Sequence, residues 1–357
     1  MKKFIYLATA LVAASISSCS SDEPTPPPPS SPTAQGLFIV NQGNFMYGNS
    51  TLTYYSPDND EAQQEIFYRA NDFRLGDLAQ SMTIDYDTNT GWIVVNNSQA
   101  VFAIDIDTYK EKGRITQGLV SPRYIHFVSS SKAYITQLYD NRIAVVDPAQ
   151  YKITGYITVP DMDVSNGSTE MMVQVGKYVY VNCWSYNNRI IRINTETDKV
   201  DGFVTTGKQP KAMTLDADMN IWAVTDGGYE GSPYGFENPT LLKLNTSTFT
   251  VDLTLDMEKG ANVSSIVTNG DGTMIYWICN DVYGMPVTST TLPEKPIVSA
   301  NGNWLNGLTV DPERGDIYIA DALDYMQPGR LLRYTSDGRY ITDVPTGVIP
   351  GNFCWKK

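Results

Sequence analysis

The chain has little of the material from which most catalytic and metal sites are made. Among its 357 residues are one histidine and four cysteines. The single histidine, His126, rules out a multi-histidine metal centre, and no Gly-x-Ser-x-Gly nucleophile motif accompanies it. Cys19, Cys183, Cys279 and Cys354 lack metal-like spacing, and Cys279 and Cys354 fall in apolar runs where a thiol packs as a small hydrophobe. The disulfide state of Cys183, Cys279 and Cys354 is left open. Positive charge is also scarce: 26 Lys and Arg face 39 Asp and Glu, a net charge of −13. Nucleic-acid binding needs clustered bases against phosphate, so that class is excluded. No long stretch repeats apolar residues at spacings of three and four, so no major helix is expected.

What the chain does have is repetition. Seven apolar runs end in a small polar residue: Leu37–Asn41, Trp92–Asn96, Ala133–Gln137, Tyr178–Asn182, Ile221–Thr225, Ile275–Asn280 and Ile317–Asp321. By subtraction of their starting positions the gaps are 55, 41, 45, 43, 54 and 42 residues. Strand chemistry recurring at such a period indicates a toroidal all-β array.

The unit around the fourth run has four strands. Thr169–Val175 reads as the first, Gly176-Lys177 as a turn and Tyr178–Asn182 as the second. A polar loop from Cys183 to Arg189 leads to a third strand, Ile190–Ile193, and a fourth, Val200–Thr205. Short β-branched and aromatic runs punctuated by Gly, Asn, Asp and Pro are strand-and-turn chemistry. First strands are expected near Ser81, Tyr124, Thr169, Ala212, Ser264, Gly307 and Gly351. The last has no strands after it, and Leu37 has no strand before it. A C-terminal strand that completes the N-terminal sheet closes the ring and removes two exposed edges. The sequence therefore predicts a seven-bladed β-propeller of four-stranded blades over residues 34–357.

The amino terminus reads differently. Residues 1–18 carry Lys2 and Lys3, an apolar segment and small residues before Cys19, the pattern of a secretory signal. Residues 19–33 are rich in Ser, Pro and acid, which makes an extended tether without a core. Beyond the leader no segment is apolar enough to span a bilayer.

Isolated chemistry in the repeats has structural explanations. Asp105 with Asp107, Asp161 with Asp163 and Asp216 with Asp218 stand where turns use Asp to satisfy backbone donors. Asn269-Gly270-Asp271-Gly272 reads as a hairpin signal before a calcium loop. His126 lies in an innermost strand and reads as a packed structural histidine. No catalytic or metal residue is assigned.

The loops between second and third strands are anomalous, because turns should be small and polar. They carry Phe45, Tyr47, Tyr139, Trp184, Tyr186, Tyr229, Tyr234, Phe236, Tyr283 and Tyr325. The loops between fourth and first strands share the same end of a propeller and add Phe73 and Trp304. Carboxamides are interleaved, Asn306 among them. Rings with polar handles give large contact area at small entropy cost, and such an exposed cluster marks a binding face. Arg123 and Lys211 begin innermost strands and point toward the channel mouth, to meet a ligand group or nearby acids. The insert between Thr225 and Thr240 is glycine-rich and suited to act as a flap.

The repeats Tyr180-Val181-Asn182 with Ile190–Asn194, and Ala133–Gln137 with Ile143–Asp147, resemble the YVTN-type propeller repeat. The residues before Cys19 resemble a bacterial lipoprotein signal, and Ser20-Ser21-Asp22-Glu23 resembles the acidic export signal of Bacteroidota surface lipoproteins. Together they resemble the surface cobalamin-binding propeller lipoproteins of that phylum. The resemblance implies a lipidated Cys19, attachment to the outer membrane at the cell surface by that anchor alone, and no catalysis or cofactor. It also implies capture of vitamin B12 or a related corrinoid and delivery to a TonB-dependent outer-membrane transporter. Aromatic platforms also stack on sugars, so a glycan-binding propeller is the alternative, and a propeller hydrolase or lyase a more distant one.

Overall fold

The computed structural model describes residues 35–162 and 169–357. The leader at 1–18, Cys19, the tether at 19–33 and Asp163 lie outside the described residues. The rest is a seven-bladed β-propeller. The innermost strands in ring order are Ala79–Asp85, Pro122–Ser129, Thr169–Val175, Pro210–Leu215, Val263–Thr268, Leu305–Val310 and Pro350–Lys356. Each touches the next, and the last touches the first. Pro350–Lys356 pairs antiparallel with Gly36–Asn41, so the C-terminal strand supplies the inner strand of blade 1 and closes the ring.

Two of the polar residues that end apolar runs bond to the next blade. Asn96 Nδ2 donates to the Pro122 carbonyl (3.1 Å) and Asn182 Nδ2 to the Pro210 carbonyl (2.6 Å). Each Pro opens the innermost strand of the next blade, so the residue clasps one blade to its neighbour. Apolar burial does the rest. Seven hydrophobic clusters fill the seven gaps between blades, from Phe38 with Met82 between blades 1 and 2 to Leu37 with Tyr318 between blades 1 and 7. Trp92, Trp222 and Trp277 are almost wholly buried in them. Packing only against neighbours lets the chain exceed the size of a single core.

Two departures account for the long units. In blade 1 the outer strand shrinks to Glu61–Gln63 and a short helix, Ile66–Asn71, follows it. Ile66 and Phe67 of that helix plug the gap to blade 2. In blade 5 the extra residues form the insert between Ile221–Thr225 and Thr240–Asn245.

Blade 6 corrects the expectation of four strands throughout. It has three, Val263–Thr268, Met274–Cys279 and Asp281–Pro286. The following chain forms no fourth strand and pairs with the third through a single bridge, Val298 with Val282. Pro293 and Pro296 lie in that stretch, and proline cannot donate to a strand ladder.

The three described thiols are free, and burial pushes Cys183 up to about 12 and Cys279 up to about 11. No helix among the described residues is long and apolar enough to cross a membrane.

Candidate functional site: the channel mouth and its rim

Every innermost strand carries an irregularity at the same height. The pairing register slips around Gln80, Arg123-Tyr124, Glu170-Met171, Lys211, Ser264-Ser265, Asn306 and Gly351. A β-bulge adds an unpaired residue and re-aims a side chain. Seven bulges in one ring therefore dress the mouth of the central channel with non-repeating chemistry.

Charge gathers on one side of that mouth. Arg123 Nε donates to both carboxylate oxygens of Glu170, at 2.9 and 2.8 Å, across adjacent blades. Glu170 is 3 % exposed. Burial pushes its carboxyl up, and Arg123 followed by Lys211 pulls it back down. Lys211 Nζ stands 3.9 Å from Asp226 and 5.8 Å from the centre of the Trp184 ring. Asp226 accepts from Trp184 Nε1 (2.9 Å), Gln209 Nε2 (2.7 Å) and the Gly228 N–H (3.0 Å). Burial beside Glu170 pushes the Tyr124 phenol up to about 12. Deeper in the channel wall, His126 Nε2 meets Gln174 Oε1 of the next blade at 2.9 Å, and burial lowers its pKa against that bond.

The rim carries the rings. Tyr186 packs on Tyr234 with centroids 4.4 Å apart and planes 30° apart, and its hydroxyl is 3.4 Å from that of Tyr229. Trp304 meets Tyr325 edge-on at 5.7 Å, and Asn44 Nδ2 donates to the Tyr325 carbonyl at 2.6 Å. Phe45, Tyr47, Tyr139, Tyr229 and Trp304 are each half exposed or more. Met46, Tyr186 and Tyr325 hold left-handed backbone, with φ of 68°, 55° and 62°. That conformation costs a non-glycine residue roughly 1–2 kcal/mol, but the turns at the other end adopt it too, at Asn89, Tyr109, Tyr151, Asp198, Met219 and Phe249, so it does not single out the rim.

Several expectations need correction. Phe73 is no rim residue: it wedges between Phe67 and Phe102 under the Arg114 guanidinium, on the outer strands of blade 2. Tyr283 is not in a loop. Asn280, at φ 60°, turns the chain so tightly that Asp281 already pairs with Cys279, and Tyr283 stacks on Trp277 within the third strand. Phe236 lies under the Lys259 ammonium, which stands 4.7 Å from its ring centre. The insert expected to flap is braced. Gly228 bridges Phe236, Glu237 accepts from the Lys208 N–H at 2.6 Å, and a Cβ on Gly227 would meet the Glu237 carbonyl at 2.3 Å. The insert's tip, with Tyr229 and Tyr234, leans on Tyr186 of the neighbouring blade. Glu170, Gln80 and Ser264 were not foreseen. Their signal was a polar residue directly after the first residue of six of the seven innermost strands, as in Thr169-Glu170, Ala79-Gln80 and Val263-Ser264.

Three kinds of space adjoin this end. The channel cavity is about 160 Å³. A cleft of about 200 Å³ lies beside Trp277 and Tyr283. Grooves of about 180 and 410 Å³ flank Tyr186 and Tyr234. Pockets that enclose a drug-sized ligand run from roughly 300 to 1,000 Å³, so a larger guest has to lie across the face.

A family model described as a domain of unknown function, DUF5074, matches residues 35–334. The chain belongs to the DUF5074 family. No curated protein matches it. Solved structures share the fold of this DUF5074 propeller at low identity. A putative 6-phosphogluconolactonase from Bacteroides fragilis has a TM-score of 0.67 at 14 % identity, covering 92 % of this chain and all (100 %) of the other. The periplasmic gluconolactonase of Pseudomonas aeruginosa has a TM-score of 0.67 at 11 % identity over 90 % and 99 % of the two chains. A quinonprotein alcohol dehydrogenase-like protein from Bacteroides thetaiotaomicron has a TM-score of 0.65 at 14 % identity over 89 % and 77 %. At such identity the likeness concerns architecture, and function has to be argued from the site.

Proposed function

We propose that this DUF5074 propeller captures cobalamin or a related corrinoid on its aromatic rim, without chemical turnover. In this reading it is lipidated at Cys19, sits at the outer face of the outer membrane and passes its cargo to a TonB-dependent transporter. The observation that carries the reading is the cluster of exposed rings around the channel mouth. Phe45, Tyr47, Tyr139, Tyr186, Tyr229, Tyr234 and Trp304 all stand exposed at that end. Asn187 and Asn188 line the grooves between them. A corrinoid is broad, flat-faced and rimmed with amides, so rings meet its faces and carboxamides meet its edge. The non-catalytic part rests on how the channel acids and bases are occupied. Glu170 is committed to Arg123, and His126 to Gln174.

A glycan is the second reading, favoured by the 410 Å³ groove that places Tyr186 beside Asn187, Asn188, Asp161 and Arg189. Thermal melting separates the two. A ligand at a thousand times its Kd stabilises by about 4 kcal/mol, so saturating cyanocobalamin should raise Tm by several degrees and shift the visible spectrum. No Tm shift with cyanocobalamin, alongside a positive glycan array, replaces the corrinoid with a sugar.

A further inference from the structure

We propose that the channel cavity beneath the rim is a binding site for a small oxyanion, a carboxylate or a phosphate group, held by Lys211, Ser264, Asn306 and Thr309. The chain is strongly acidic, yet no Asp or Glu lines this cavity of about 160 Å³, and Lys211 is the one charged group that does. The neighbouring acid at the mouth, Glu170, is held by Arg123 at 2.8 Å. Lys211 keeps its donors available, because Asp226 stands 3.9 Å away and already accepts from Trp184, Gln209 and the Gly228 N–H.

The other walls are rich in unused donors. Ser264 Oγ is buried and makes no hydrogen bond among the described residues, an arrangement that is costly unless something fills it. It sits in the bulge of its strand, the device that re-aims a side chain. Asn306 donates one amide hydrogen to the Pro350 carbonyl (2.9 Å) and keeps the other. Thr309 Oγ1 accepts from Trp355 Nε1 at 3.0 Å, so its own hydrogen is left to give. A compact acceptor with several lone pairs fits this wall; a ring system of the size the rim would hold does not fit the space.

This site is independent of what the rim binds, and small probes test it alone. The protein is titrated with inorganic phosphate and, separately, with acetate, chloride holding ionic strength constant, and melting and calorimetry are read. Saturable stabilisation by phosphate supports a phosphate site, and saturable stabilisation by acetate alone supports a carboxylate site. In both cases Lys211→Met and Ser264→Val should each weaken binding at least about tenfold, Lys211→Arg should restore part of it, and Lys177→Met at the far end should change nothing. Should Lys211→Met fail to fold, Ser264→Ala carries the same test with a smaller side chain. The proposal is overturned if neither anion acts saturably, or if the variants respond as the parent does. A cobalamin titration that fails leaves this result untouched, and the converse holds.

Discussion

The two ends of the ring differ in what their loops expose. Where first strands turn into second and third into fourth, side chains close the turn on itself. Asp105 accepts from the Thr108 N–H at 2.8 Å, Asp147 from the Ala149 N–H at 3.0 Å, Asn194 from the Glu196 N–H at 2.9 Å and Asp311 from the Glu313 N–H at 2.9 Å. Large apolar exposure in those turns comes to Tyr86 and Met219. At the opposite end, Phe45, Met46, Tyr47, Val120, Tyr139, Tyr186, Tyr229, Tyr234, Trp304 and Met326 stand exposed. One end closes its turns and exposes little large apolar surface in them. The other holds rings outward, the kind of exposed apolar surface that marks a binding face.

If that contrast is right, substitutions at the two ends should separate stability from binding. The largest effect is expected at Asp216, whose side chain is fully buried beside Trp222 Nε1 (3.0 Å), the Asn220 N–H (2.8 Å) and Lys243 (3.5 Å). Asp216→Ala leaves those donors unanswered and should lower unfolding free energy by about 3 kcal/mol, read from urea midpoints, with cobalamin affinity unchanged. Tyr186→Ala at the rim should do the reverse. Its cost in affinity is on the order of 2 kcal/mol, some thirtyfold, if it is a hot spot, while the melting temperature barely moves.

The channel wall between the ends gives a pH test. Burial lowers the pKa of His126 in the fold, so below the ordinary value near 6.5 the unfolded chain binds the proton that the folded chain refuses. Stability is then present above about pH 6.5 and is lost as pH falls toward the lowered folded value, by up to about 1.4 kcal/mol per pH unit. His126→Gln should flatten that limb in melts between about pH 7.5 and 5. The smallest effect belongs to the self-closed end, where Asp105→Ala should cost about 1 kcal/mol and leave binding alone. A rim substitution that unfolds the protein, or a turn substitution that abolishes binding, would break the contrast.

The architecture was readable because blades are local. Alternation from Thr169 to Thr205 marks four strands within a residue of their observed ends. The partnerless strands at Leu37 and Gly351 named the closure. What was not readable depends on register and on neighbours. The bulges at Glu170 and Ser264 exist only relative to a partner strand, so an alternating pattern passes over them. Tyr283 was misplaced because Asn280 accepts a left-handed turn that removes the loop. Phe73 looked like a rim ring because sequence does not tell that a helix before it turns the chain outward onto Phe102 and Arg114.

The most direct measurement is a calorimetric titration of the protein with cyanocobalamin, repeated with Tyr186→Ala/Tyr229→Ala at the ringed end and Tyr86→Ala/Met219→Ala at the other. The account requires one saturable event that the first pair weakens severely and the second leaves intact. No heat of binding, or heat that both pairs leave unchanged, would contradict it.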